Sequence, residues 1–246
     1  MKKTLLCLIL LPLTGEAAQA PEVLPFAPAM ASLSNELAFD ALRGRVKTFE
    51  QILYGEDSLP LMVAKGRFDK SGCLVEYERS ERGGESMHLI RQAGSDTLVS
   101  ALDKRNTVVL DKHCQIVSIT SPGVEHRRYL YRDGLLVKVK DTRDAWVYKE
   151  YFYTPEGMPN TMVMYGEQHD VLMATEPKRK LEEPWDFLTR GLDNGRLFYL
   201  AAKKCRYDDV GNPLECANIV ETQDGGKTAQ ERQQIRYTTT YYSQKD

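Results

Sequence analysis

One kind of junction recurs along the chain and constrains its fold more than any other feature. Phe68-Asp69-Lys70-Ser71-Gly72, Tyr153-Thr154-Pro155-Glu156-Gly157 and Tyr207-Asp208-Asp209-Val210-Gly211 share one layout. Tyr131-Arg132-Asp133-Gly134 is one residue shorter, and Leu110-Asp111-Lys112-His113-Cys114 is a degenerate copy. In each, a large apolar residue ends a β-type run. An Asp side chain caps a tight turn, glycine accepts positive φ without steric cost, and the aromatic ring packs across the strand pair. Every copy therefore predicts a hairpin. The irregular spacing between copies fits a meander with insertions and excludes a strict solenoid.

The segments between the junctions support that reading. Residues 46–54, 61–68, 74–78, 97–102, 107–110 and 115–120 have the length and alternation of strands, as do 128–131, 135–140, 145–153, 161–165, 197–202, 217–222 and 234–242. In 135–140, Lys138 and Lys140 point away from the valines, and Leu136 is free to join either face. Tyr151 and Tyr153 share a face by the same rule. A sheet with one apolar and one charged face needs a cover, from a second layer or by curling on itself. Residues 21–41, with Pro21, Pro25 and Pro28 followed by Ser32, Ser34 and Asn35, form an expected extended leader. Residues 181–195 have the proline start and glycine stop of a short helix, with Trp185, Leu188 and Leu192 on one face. The expected fold is mainly β: an antiparallel meander of hairpins forming a curved or two-layer sheet, with at most one or two short helices, over residues 42–246.

The N-terminus carries an address. Met1-Lys2-Lys3, an apolar run from Leu5 to Leu13 and small residues from Gly15 to Ala20 make the three-part layout of a signal peptide over residues 1–20. The run is shorter than the roughly 20 residues a membrane-spanning helix needs, and no later segment comes close. Ala18-Gln19-Ala20 and Gly15-Glu16-Ala17 are the candidate cleavage sites. Leu13-Thr14-Gly15 is the start of a lipobox, but Glu16 stands where the acylated cysteine belongs. Without residues 1–20, 31 basic and 34 acidic residues remain, and the pI of the whole chain is about 6.2. That balance provides no cationic field for nucleic acid.

An exported chain meets an oxidising compartment, and cysteines Cys73, Cys114, Cys205 and Cys216 remain beyond the signal. Cys205 and Cys216 bracket the third turn, so a hairpin there makes them cross-strand neighbours, which leaves Cys73 for Cys114. No Cys-x-x-Cys or paired histidines favour a metal instead.

Other chemistry is sparse in the sequence. His88, His113, His126 and His169 are scattered, and no nucleophile elbow, Walker loop or dinucleotide fingerprint occurs. No cofactor and no catalytic residue is expected. Glu182-Glu183 borders a proline and Asp208-Asp209 lies in a turn, so both acidic pairs have structural explanations. Lys178-Arg179-Lys180 has acidic neighbours, which reduces it to a solvated basic run. The chain's 13 tyrosines could form a carbohydrate platform, yet most stand at strand ends where cross-strand packing explains them.

Residues 26–50, from Phe26 through Met30 and Asp40 to Glu50, resemble the start of the mature YnfC family of enterobacterial lipoproteins. The resemblance continues through Gly72-Cys73, Cys114, the Cys205 to Cys216 hairpin and the last aromatic strand. The turns separately resemble those of YD-repeat proteins of envelopes and toxins. The YnfC resemblance implies a lipid-anchored envelope protein with no established catalytic residues. Glu16 departs from it, and an exported periplasmic protein without the lipid is the expectation. Two functions fit: a non-enzymatic module that binds an envelope protein, glycan or lipid, and an envelope hydrolase that acts on glycans through carboxylates assembled by the fold.

Overall fold

A computed structural model describes residues 24–84, 86–121, 127–143, 146–166, 170–177 and 182–243. One helix, α1 (Pro28–Leu37), precedes strands β1 (Val46–Tyr54), β2 (Pro60–Phe68), β3 (Leu74–Glu81), β4 (Ser86–Arg91), β5 (Thr97–Ser100), β6 (Thr107–Leu110) and β7 (Ile116–Thr120). The chain continues through β8 (Arg127–Arg132), β9 (Leu135–Asp141), β10 (Val147–Tyr153), β11 (Pro159–Tyr165) and β12 (Asp170–Pro177). Strands β13 (Phe187–Asp193), β14 (Arg196–Tyr207), β15 (Pro213–Asp224) and β16 (Lys227–Tyr241) complete it. All sixteen strands form one antiparallel sheet in the order β7 to β1, then β16 down to β8. The first and last strands are therefore neighbours, and the sheet's two free edges, β7 and β8, are consecutive in the chain. The sheet curls into a nearly closed barrel. Across its seam Tyr131 Oη donates to the carbonyl of Ile116 at 3.0 Å.

The recurrent junctions are hairpins with one shared geometry. Asp69 N–H donates to Cys73 O and Gly72 N–H returns to Asp69 O; the same pair of bonds joins Asp111 with Gln115 and Cys114, Thr154 with Met158 and Gly157, and Asp208 with Asn212 and Gly211. The first side chain caps the turn: Asp69 Oδ1 accepts from the amides of Ser71 and Cys73, and Asp111 and Asp208 repeat that pattern. The fourth residue of the turn lies in the left-handed region, with φ of +86° at Gly72, +81° at Gly157 and +85° at Gly211. Cys114 adopts +64° in the same place, which explains why the degenerate copy still turns. Two of these turns are joined covalently, because Cys73 is bridged to Cys114; Cys205 and Cys216, facing each other across β14 and β15, form the second disulfide.

Two local expectations are overturned. The leader is helical over Pro28–Leu37, because Pro28 stands at the start of the helix, where its missing N–H costs nothing. Met30, Leu33 and Leu37 then fall on a buried face, while the hydroxyls of Ser32 and Ser34 bond back to the carbonyls of Pro28 and Ala31. The helix stops at Ala38, whose φ is +56°. The second correction concerns 181–195, where the expected helix is β13. Both faces of this strand carry apolar residues, so Leu188 and Leu192 reproduce a helical spacing, while backbone pairing to β12 and β14 holds the chain extended. Trp185 is buried in the turn that leads into it.

A main core forms where α1 enters the barrel. Leu33, Leu37 and Met30 pack with Phe49, Phe68, Tyr77, Leu89, Leu136 and Tyr151 from the inward faces of the strands. A bulge between β8 and β9 lets both Leu136 and Val139 turn inward although they are three residues apart. Outward positions carry ion pairs such as Lys65–Glu50 at 2.8 Å and Arg67–Glu76 at 3.1 Å, exposed pairs that contribute little to stability.

Candidate functional site

The inward face of the barrel divides into an end filled by α1 and the core, and an end whose side chains are half-buried. At the filled end, α1 is tied to the wall by polar contacts. Leu136 N–H donates to Ser32 Oγ at 3.0 Å, and Asn35 Nδ2 donates to Tyr153 Oη at 2.9 Å. Lys149 Nζ lies 3.3 Å from Glu36 Oε1, which also accepts from Tyr151 Oη, and Tyr77 Oη donates to the carbonyl of Leu37. Burial, reinforced by the Glu36 carboxylate, pushes the Tyr151 phenol far above its ordinary range, so it stays a donor.

Beside the helix end, Asp40 organises a second cluster. Its Oδ2 accepts from Lys203 Nζ at 2.6 Å and from Tyr237 Oη, and its backbone N–H donates to Gln51 Oε1 at 2.8 Å. The ammonium of Lys203 sits 4.7 Å from the centre of the Trp185 ring, 5.4 Å from Phe187 and 5.7 Å from Tyr237. A buried charge requires a partner and polarizable walls, and Lys203 has both. Tyr207 donates to Asp186 Oδ1 at 2.9 Å and accepts from the backbone N–H of Trp185 at 3.0 Å. These contacts fix the position of the Trp185 loop. Nearby, Arg43 is buried over the Phe26 ring at 4.7 Å, and burial lowers its pKa against the opposing pull of Glu156 and the groups around it.

Beyond these clusters the interior is lined by methionines. The register puts Met62 opposite Leu53 and Glu81, Met87 opposite Arg79, Met162 opposite Tyr151 and Met173, and Met164 opposite Val171 and Lys149. Each of those partners stands on the inward side, so Met62, Met87, Met162, Met164 and Met173 all face the interior. Met30 and Met158 are buried in the core. Of the chain's eight methionines, every one after Met1 thus faces inward. The five on β2, β4, β11 and β12 remain only half-buried, unlike Leu89 at 1% or Leu98 at 0% exposure, and Met87 and Met162 pack against the core. The wall is closely packed at Gly191, where a Cβ would stand 2.9 Å from Met173 Sδ, Phe198 Cζ and Tyr199 Cβ.

The residues singled out in the sequence lie elsewhere. The four bridged cysteines serve the framework. His88 is on the outer face with Nε2 3.1 Å from Glu76 Oε1, where this contact and then Arg67 lower the Glu76 pKa. His113 is exposed in the β6–β7 turn. His126, His169, Lys178, Arg179, Lys180 and the segment holding Glu16 are outside the described residues. Asp208 caps its turn, Asp209 is exposed beside it, and Glu182 and Glu183 flank the Trp185 loop. Among the described residues, no group of three or more His, Cys, Asp or Glu could hold a metal ion, and no helix is long and apolar enough to cross a membrane. Tyr77, Tyr151, Tyr153, Tyr207 and Tyr241 end on helix or turn groups. The methionine lining was missed because its members are dispersed in sequence; only the register collects them, although the alternation at Met162 and Met164 was visible.

Similar proteins agree on family more than on activity. The chain is 29% identical over 242 residues to the UPF0257 lipoprotein YnfC of Escherichia coli O45:K1 (strain S88), covering 98% of this chain and 99% of that protein. The lipoprotein of the same name from Escherichia coli strain K12 / DH10B gives the same identity and coverage. Among solved structures, a porin-like protein from Bacteroides uniformis covers 90% of this chain and all of its own, at 11% identity and a TM-score of 0.44. The model of the uncharacterised protein family UPF0257 matches residues 1–242, and the chain belongs to that family.

Proposed function

We propose that this chain is an exported cell-envelope protein that acts by binding, with the half-buried end of its barrel as the binding surface. The observation that carries this reading is the half-buried inward lining of methionines at Met62, Met87, Met162, Met164 and Met173, gathered by the register from four strands. A sheet of sixteen strands encloses more volume than its inward side chains fill. Helix α1 occupies one end only. The rigid polar clusters at Glu36 and Asp40 hold that end closed, so the open end is a preformed site of the kind that small ligands occupy. The signal-like layout of residues 1–20 supports export, and its relatives' name supports the envelope. Glu16 in place of the acylated cysteine supports a periplasmic protein without its own lipid anchor.

The test is to recover the protein from the periplasm and measure its mass under native and denaturing conditions. A non-covalent cargo is expected in the wild type and absent in Met173→Arg, whose charge would stand in the lining. Wild-type protein recovered without cargo would overturn the binding reading.

A further inference from the structure

We infer that the outer wall of the barrel over β11–β15 is the interface of a dimer formed with a second copy of this chain. The inward positions of these strands fix what points outward. Met162 and Met164 face the interior, so Val163 between them faces out, opposite Leu172. Leu172 stands opposite Leu192, and Leu188 stands opposite Ala202, whose other neighbour is Ile219. Leu200 lies on the same face, opposite Arg190. None of these side chains belongs to the buried core, and Ile219 is 43% exposed. Among the described residues, no helix or strand packs across them. The outer face of β2 and β3 carries Lys65, Arg67 and Glu76 instead. Scattered exposed apolar side chains are ordinary, but a contiguous band rimmed by charge marks an interaction surface.

Charge and area identify the occupant. In the middle of the band Arg190 Nη1 lies 3.3 Å from Glu176 Oε1, and both side chains are half-exposed. Glu150 and Glu221 stand at its rim, opposite Val163 and Leu200. A bilayer seated on this wall would strip water from the central pair and meet acidic groups at the edge, which is unfavourable. A second copy meets neither difficulty. Two copies related by a two-fold axis that lies in the interface, between Arg190 and Glu176, set each guanidinium against the other copy's carboxylate. Both charges then keep a partner, and the surface is complementary to itself. Five strands about 4.8 Å apart with three outward positions each make a core of about 24 by 20 Å, and one surrounding ring of polar side chains takes it past the roughly 800 Å² per partner of a stable dimer. An apolar centre with a polar rim is the composition such interfaces have.

The test is sedimentation equilibrium of the purified exported chain with both disulfides formed. Twice the chain mass is expected, with dissociation on dilution. Leu188→Lys with Leu192→Lys, both outward on β13, should weaken the dimer at least a hundredfold, while Val117→Lys, at an exposed apolar position on β7, should leave it unchanged. A wild type that stays monomeric up to about 100 μM would overturn the proposal. So would a dimer that the β13 pair leaves intact, or one that Val117→Lys abolishes. A monomer that floats with phosphatidylethanolamine–phosphatidylglycerol vesicles would overturn it in favour of a bilayer. If the β13 pair fails to fold, the central charges decide. Arg190→Glu and Glu176→Arg should each weaken self-association at least tenfold, and mixing the two variants should restore a dimer, because each copy then offers the charges the other lacks. Single reversals that self-associate as the wild type does, or a mixture that remains monomeric, would overturn the proposal.

Discussion

Gly211 and Gly72 occupy the same position of two copies of one turn, with φ of +85° and +86°, but in different surroundings. A Cβ on Gly72 would meet nothing within 4 Å, whereas one on Gly211 would lie 3.1 Å from Nη1 of the buried Arg43. Placing alanine in the left-handed region costs about 1–2 kcal/mol by itself. Gly72→Ala should cost about that much in urea denaturation, and Gly211→Ala at least about 1 kcal/mol more, because the buried Arg43 would have to give way. Equal costs would show that Arg43 yields. The cap of the first turn titrates. Burial pushes the Asp69 carboxyl up, but bonds from Ser71, Arg91 and the Cys73 amide outweigh it and hold the pKa below the usual range. Arg91 Nη1 is 2.7 Å from Asp69 Oδ2. A depressed carboxyl contributes its stability above the unfolded value of about 3.9 and loses it as pH falls through the lower folded value. The Tm gap between wild type and Asp69→Asn should therefore be constant from neutral pH down to about 4 and then close. A gap unchanged at the acid end would remove Arg91 as its source. At this scale the sequence was informative, because aspartate and glycine act locally, and even Cys114 could be recognised as a glycine substitute by its place in the pattern.

Elements were legible where one face is apolar and obscure where neither or both are. Strand β1 was expected over residues 46–54, which it occupies, because Phe49, Gln51 and Leu53 alternate with Thr48, Glu50 and Ile52 on the outer face. Strands β4 and β12 were missed. β4 is short and puts His88 and Ile90 outward, and β12 is apolar on both sides, so neither shows a clean period. Helix α1 was obscured by its own proline and serines, whose roles depend on position and on a partner in β9. That helix is an integral plug: Leu33 is fully buried, and Leu33→Ala should cost about 2–5 kcal/mol, a large part of a domain's net stability. A loss under about 1 kcal/mol in urea denaturation would mean that α1 only rests on the barrel mouth. The disulfides act between elements. Chain entropy assigns about 4 kcal/mol to the Cys73–Cys114 bridge and about 3 kcal/mol to Cys205–Cys216, since they close loops of 41 and 11 residues. Melting after removal of each pair to serine should follow that order; the reverse order would show that the shorter bridge holds structure the hairpin cannot keep alone.

The whole molecule could not be inferred from any single segment, because its defining contact joins β1 to β16, from Val46 with Tyr241 to Tyr54 with Gln234. A meander of hairpins specifies neighbours only; whether the sheet stays open, folds into two layers or curls depends on that one long-range pairing. Once it forms, the free edges belong to β7 and β8, in the middle of the chain, and the barrel's weakest line falls far from its termini. The edges are blunted as natural sheets require, by short strands and by the Tyr131 bond to Ile116. Backbone amides along that seam have one strand neighbour instead of two. In hydrogen exchange followed by mass spectrometry, β7 and β8 should lose protection at least tenfold faster than β1, β15 and β16, which are paired on both sides. Uniform protection around the barrel would mean that the seam is closed by strand pairing. The contrast bears on the proposed binding as well, since a barrel with α1 fixed at one end would admit a ligand at the other end or by parting the seam. Only passage through the seam predicts that ligand slows exchange in β7 and β8 while leaving β1 and β16 unchanged.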